Sequence, residues 1–67
     1  MNLRINGAER AFPATTHTVA DVVATLGYTG KRIAVEQNGE IVPKSQYATT
    51  PVQAADVFEI VVAVGGG

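Results

Sequence analysis

The residues best suited to chemistry stand at the end of the sequence, where Ala63-Val64 leads into Gly65-Gly66-Gly67. Glycine has no Cβ, so such a run reaches backbone angles closed to other residues and is slender enough to thread a narrow channel. The last group on it is the α-carboxylate of Gly67. A free carboxylate is a poor electrophile. It becomes reactive once an oxygen is turned into a leaving group, as in an acyl adenylate made from ATP. A nucleophile, such as sulfide carried by another protein, then displaces AMP and leaves a thiocarboxylate. A side chain at Gly66 or Gly67 would collide with the wall of an activating enzyme's site. Taken alone, the tail supports an inert, frayed terminus equally well.

The rest of the chain offers little to a catalyst, which needs converging groups in a protected pocket. There is one histidine, His17, and no cysteine. That leaves no zinc-ligand set and no nucleophile–base pair. The carboxylates Glu9, Asp21, Glu36, Glu40, Asp56 and Glu59 are scattered. The terminal glycines are not a phosphate loop, because no lysine and no helix follow them. A core of this size is expected to leave no cofactor-sized cavity. The expectation is a protein that binds no metal or cofactor and is acted on by enzymes.

Sixty-seven residues make one small domain, and with no disulfide its core must carry the fold. A hydrophobic fraction of 46% makes that feasible. The net charge of −1 and the lack of a basic run exclude the phosphate-neutralising surface of a nucleic-acid binder. No apolar run has membrane-spanning length, and the start lacks a secretory pattern. A soluble cytoplasmic protein is expected.

The elements that must position the tail follow from periodicity. Met1 to Asn6 alternates, with Leu3 and Ile5 on one side, as a half-buried strand does. Asn6-Gly7 signals a tight hairpin, and Glu9 to Phe12 returns, closed by Pro13. Between Thr15 and Leu26 the period changes. Val19, Val22, Val23 and Leu26 fall on one helical face, with Thr18 and Asp21 placed as a capping box and Gly27 as the stop. His17, just before the cap, reads as an exposed residue. Arg32 to Gln37 is a third strand, Asn38-Gly39 a second turn, and Glu40 to Val42 a short fourth strand ended by Pro43. A short helical turn is expected around Ser45-Gln46-Tyr47, with the Tyr47 ring against the sheet edge and its hydroxyl in water. Val57 to Val64 is the last strand. One helix on one mixed, mostly antiparallel sheet of four to five strands is an α+β, two-layer domain. The first and last strands are the most apolar and are expected near the centre; if adjacent, they run parallel.

In the last strand Phe58, Ile60 and Val62 are expected to face the helix. Val57, Val61 and Ala63 then share the outer face with Glu59, and Val64 follows at the base of the tail. This face is more apolar than solubility requires, which points to a docking surface for a partner protein. Ordinary scattered surface apolar residues are the equally weighted alternative.

The middle of the chain, Ile33-Ala34-Val35-Glu36-Gln37-Asn38-Gly39-Glu40-Ile41-Val42-Pro43, resembles the ThiS family, the sulfur carriers of bacterial thiamine biosynthesis within the ubiquitin-like β-grasp superfamily. So do Tyr47, four residues past that proline, the entry to the last strand, Asp56-Val57-Phe58-Glu59-Ile60-Val61, and the terminal Gly66-Gly67. The resemblance covers nearly the whole chain. It implies a β-grasp domain over residues 1–64 and a flexible glycine tail at 65–67. It implies that an E1-like adenylyltransferase activates Gly67 with ATP and magnesium. Sulfur reaches it from cysteine through a desulfurase persulfide, and thiazole synthase consumes the thiocarboxylate. Gly65 and Gly66 thread the partner's site. Ala55 stands where the family commonly has glycine, a departure that bears on the turn before Asp56. Molybdopterin-type sulfur carriers and ubiquitin-like protein modifiers share the chemistry up to the adenylate. The former usually carry prolines near the final diglycine, which this tail lacks.

Overall fold

The computed structural model describes residues 1–63; Val64 and the expected glycine tail, Gly65 to Gly67, lie outside the described residues. The elements are β1 (Asn2–Ile5), β2 (Ala8–Ala11), α1 (Val19–Thr25), β3 (Ile33–Gln37), β4 (Glu40–Val42), a single 3-10 turn (Lys44–Gln46) and β5 (Val57–Val62). The five strands form one sheet in the order β2-β1-β5-β3-β4. β1 and β5 are adjacent and parallel, and the other neighbours are antiparallel. With the helix on one side, this is the expected α+β, β-grasp architecture.

Both Asn-Gly pairs are tight turns. Asn6 and Asn38 take positive φ (50° and 52°), followed by Gly7 and Gly39 at 85° and 86°. Asparagine tolerates this region because its short amide bonds locally, and here each amide reaches β5 as described below.

The helix is shorter than the apolar period. Thr18 is the N-cap, in extended conformation, and forms the full capping box with Asp21. Residues before it cannot join the helix, and Thr16 is buried instead in a turn where its N–H donates to the Pro13 carbonyl. The first helical N–H groups are met by the segment after β4: Val19 donates to the Thr50 carbonyl and Ala20 to that of Tyr47. At the other end Gly27, at φ 79°, donates to Ala24 and Tyr28 to Val23, the paired bonds of a Schellman stop.

The core lies between the helix and the inner face of the sheet. Phe58, Leu3, Val19, Val22 and Val35 are fully buried, joined by Ile5, Phe12, Val23, Val42, Val52 and Ile60. Burying a side chain of this size contributes roughly 1.5–3 kcal/mol, so these residues carry a domain without disulfide or metal. Tyr47 packs partly buried against this core, which includes Val42 of the edge strand β4. Burial pushes its phenol above the usual pKa range.

The last strand ends at Val62, one residue before the end of the described chain. Ala63 still keeps the register by donating its N–H to the Arg32 carbonyl at 2.9 Å. No helix among the described residues is long and apolar enough to cross a membrane.

Candidate functional site

The candidate site is the outer face of β5 and its neighbours. β5 alternates as its sequence demands: Phe58 and Ile60 are buried, while Val57, Glu59 and Val61 face outward. Val57 is 40% exposed, Val61 66%, and Ala63 is exposed just beyond them. The register with β3 sets Ala34 opposite Val61 and Glu36 opposite Glu59. β4 then adds Ile41 opposite Glu36, 69% exposed.

Ile41 is missing from the expected face. In the short run Glu40-Ile41-Val42, alternation alone does not say which apolar residue points inward. Pairing decides it, because Val42 lies opposite the buried Val35. The outer face therefore carries Ile41, Val57 and Val61, with the exposed Arg4 beside Val57, around two carboxylates directly opposed across neighbouring strands. Such a pair destabilises the fold, since like charges facing each other repel.

Two side-chain amides hold β5 in place. On one side Asn6 accepts the Ile60 N–H at 2.7 Å and donates to the Ile60 carbonyl at 3.0 Å. On the other, Asn38 accepts the Val57 N–H at 2.9 Å and donates to Asp56 at 3.1 Å. Asp56 also receives the Gln37 amide at 3.0 Å and the Gln53 N–H at 2.9 Å. Burial works to raise the Asp56 pKa, but the Gln53 N–H and the Asn38 and Gln37 amides outweigh it and hold the carboxyl below its usual range. These groups line an open cleft of about 380 Å³ beside the β3–β4 turn, where their polar atoms are engaged with one another.

Ala55, next to Asp56, has φ 72°. This is the left-handed region, which costs a residue with a Cβ roughly 1–2 kcal/mol and costs glycine little. The departure noted in the sequence is thus a real strain in the turn that leads into β5. Asp21 is likewise structural: the His17 and Thr18 N–H groups bond its carboxylate at 2.8 and 3.0 Å and lower its pKa. His17 is exposed, and among the described residues no group of three metal-ligating side chains forms.

Residues 3–67 match the ThiS family. The chain belongs to the ThiS family. Among curated relatives, the sulfur carrier protein ThiS of Bacillus subtilis is 37% identical over 65 residues, covering 97% of this chain and 98% of that protein. The thiazole synthase of Paramagnetospirillum magneticum is 49% identical over 67 residues, all of this chain but 20% of that protein. The chain therefore spans a fifth of that relative's length. Among solved structures, the crystal structure of thiamine biosynthesis protein ThiS from Geobacter metallireducens is 28% identical, each chain covering the other fully, with a TM-score of 0.82. That likeness places the ThiS-type fold on the whole domain.

Proposed function

We propose that this chain is a sulfur carrier of thiamine biosynthesis, a protein cosubstrate handled by partner enzymes. The observation that carries this reading is the match to the Bacillus subtilis sulfur carrier across 98% of that protein's length. The glycine run at 65–67 and the apolar outer face beside its base support it.

An E1-like adenylyltransferase uses ATP with magnesium. A Gly67 carboxylate oxygen attacks the α-phosphorus, pyrophosphate leaves, and a mixed anhydride forms. The terminal sulfur of a persulfide, formed by a cysteine desulfurase, attacks the carbonyl carbon and expels AMP. A thiol then attacks the inner sulfur of the resulting acyl disulfide, which releases the thiocarboxylate and leaves a disulfide on the donor. Thiazole synthase takes that sulfur. Two relatives named thiazole synthase align with the whole of this chain over 20% of their own length, which favours that enzyme class as the consumer.

In this reading the domain supplies three things. It contributes no acid or base. It anchors the tail through β5, presents Val57, Val61, Ala63 and Ile41 as a docking face, and leaves Gly65 and Gly66 narrow enough to enter the partner's channel. Intact mass after incubation with adenylyltransferase, ATP, magnesium and a persulfide donor tests it. The expected result is exchange of one oxygen for sulfur, located at Gly67. Sulfur transfer retained after deletion of Gly67 would overturn the assignment.

A further inference from the structure

The sheet ends at β2 and β4, and both ends are defended against pairing with other chains. β2 carries Glu9 and Arg10 and runs on to Pro13, while β4 is three residues long and closed by Pro43. Charge, shortness and proline are the usual protections of an edge. A further edge lies inside the sheet. β3 pairs with β5 at five registered positions, but β1 does so at two, Arg4 with Val57 and Ile5 with Phe58. Beyond these the Asn6 carboxamide acts as one more peptide unit by bonding both polar groups of Ile60. The chain then turns away through Gly7 into β2.

Hydrogen-bond parity shows what is left over. Asn38 donates to the Val57 carbonyl and Ala63 to that of Arg32, so odd-numbered residues of β5 direct their peptide groups at β3. Even-numbered ones point the other way, because successive residues alternate in an antiparallel pair. The carbonyls of Asp56 and Phe58 accept from Arg4 and Asn6, and Ile60 is taken by the Asn6 side chain. Val62 is next in this row, and β1, whose registered pairing with β5 stops at Phe58, offers it no partner. The segment around it, Ile60-Val61-Val62-Ala63, has no charge and no proline. The edge that opens beside the tail is the one without protection.

We propose that this edge at Val62 is a strand-addition site, on which an extended main-chain segment of the adenylating enzyme pairs with β5. The inference rests on the carrier reading above. A donor and an acceptor offered from one residue of an extended strand match another extended backbone, which supplies the reciprocal pair. A second copy of this chain is a poor occupant, since one free residue per edge gives far less contact than a stable dimer needs. An enzyme that also grips the tail and the outer face adds these bonds to a larger surface. The added strand fixes the direction in which the tail leaves the domain.

Hydrogen exchange at the Val62 amide, followed by NMR with and without the adenylyltransferase and a non-hydrolysable ATP analogue, tests the site directly. The amide is expected to exchange freely in the isolated chain and to be protected in the complex. Val62→Pro removes this donor, and β3 pairing is spared because residues 61 and 63 make those bonds. Adenylation kcat/KM is expected to fall about three- to tenfold, as loss of one intermolecular hydrogen bond implies. Ala11→Pro is the matched control on β2. Phe12 and Met1 exchange bonds there, so the Ala11 N–H faces away from β1, and adenylation is expected to be unchanged. Wild-type rates for Val62→Pro, or an amide that stays exposed in the complex, would overturn the proposal. If that variant does not fold, the exchange result decides alone. Protection that grows with concentration of the isolated chain places a second copy on the edge, which also overturns it. A wild-type chain that is never adenylated removes the carrier reading and this inference with it, whereas an adenylated chain with Val62 open removes only the inference.

Discussion

Asn6 and Ile60, 54 positions apart, exchange two hydrogen bonds: the Ile60 N–H donates to Asn6 Oδ1 at 2.7 Å, and Asn6 Nδ2 donates to the Ile60 carbonyl at 3.0 Å. One residue thereby turns the first hairpin and extends the parallel pairing of β1 with β5. Asn6→Gly keeps the turn comfortable at φ 50° and removes only the side-chain bonds. It is expected to destabilise the domain by about 1–3 kcal/mol in urea unfolding, from two bonds each contributing about 0.5–1.5 kcal/mol. Asn6→Asp turns the donor into a second acceptor facing the Ile60 carbonyl and should cost more than glycine does.

Ala55→Gly is expected to stabilise the protein. The left-handed strain at φ 72° disappears, while the more flexible unfolded chain offsets part of the gain. The net expectation is an increase of about 0.5–1 kcal/mol, read as a higher urea midpoint with unchanged slope. A loss of stability would show that the Ala55 methyl group contributes packing that outweighs the strain.

Acid should weaken the fold in a defined window. Asp21 and Asp56 both have pKa values lowered from the ordinary 3.8 in the folded state. Below that ordinary value the unfolded chain binds more protons than the folded one, so stability rises with pH there. Their contribution is complete above about pH 4–5 and is lost as pH falls through the folded-state values. Asp56→Asn removes its share of this acid limb. At neutral pH it should destabilise by about 1 kcal/mol, because an amide has one oxygen: it can accept from Gln53 and Gln37, which share Oδ2, or from Asn38 at Oδ1, and its NH2 then faces the remaining donor. Melting temperature against pH for the two proteins checks both parts.

Val61→Lys and Ile41→Lys should leave the melting temperature nearly unchanged, since both side chains are mostly exposed. If the outer face docks the adenylyltransferase, either change weakens that complex about tenfold or more, as expected when an interface anchor is replaced by a charge. Titration of the folded variants against the enzyme measures this. Wild-type affinity in both would remove the docking role.

Much of the architecture is legible in the residues. Both Asn-Gly turns, the Thr18–Asp21 cap, the Gly27 stop and the alternation in β1 and β5 are local signals, and local signals survive into the fold when tertiary packing agrees with them. What escapes is decided by partners distant in the chain. Nothing near Ile41 says that Val42 will face Val35. Nothing near Tyr47 says that its carbonyl will meet the helix at Ala20. The second roles of Asn6 and Asn38 are hidden for the same reason, because turn propensity already accounts for asparagine there. Ala55 is the reverse case: the family resemblance flagged the position, and only the backbone angle shows why glycine suits it. The outer face was half legible, through β5 but not through β4.

The position of β5 between a parallel and an antiparallel neighbour has a mechanical consequence. Force applied through residue 63 runs along the strand, so the rungs to β1 and β3 are loaded side by side in shear rather than opened one after another. An enzyme that tugs on the end of this chain therefore meets a clamp. The load then spreads into the middle of the sheet instead of peeling a strand from its edge.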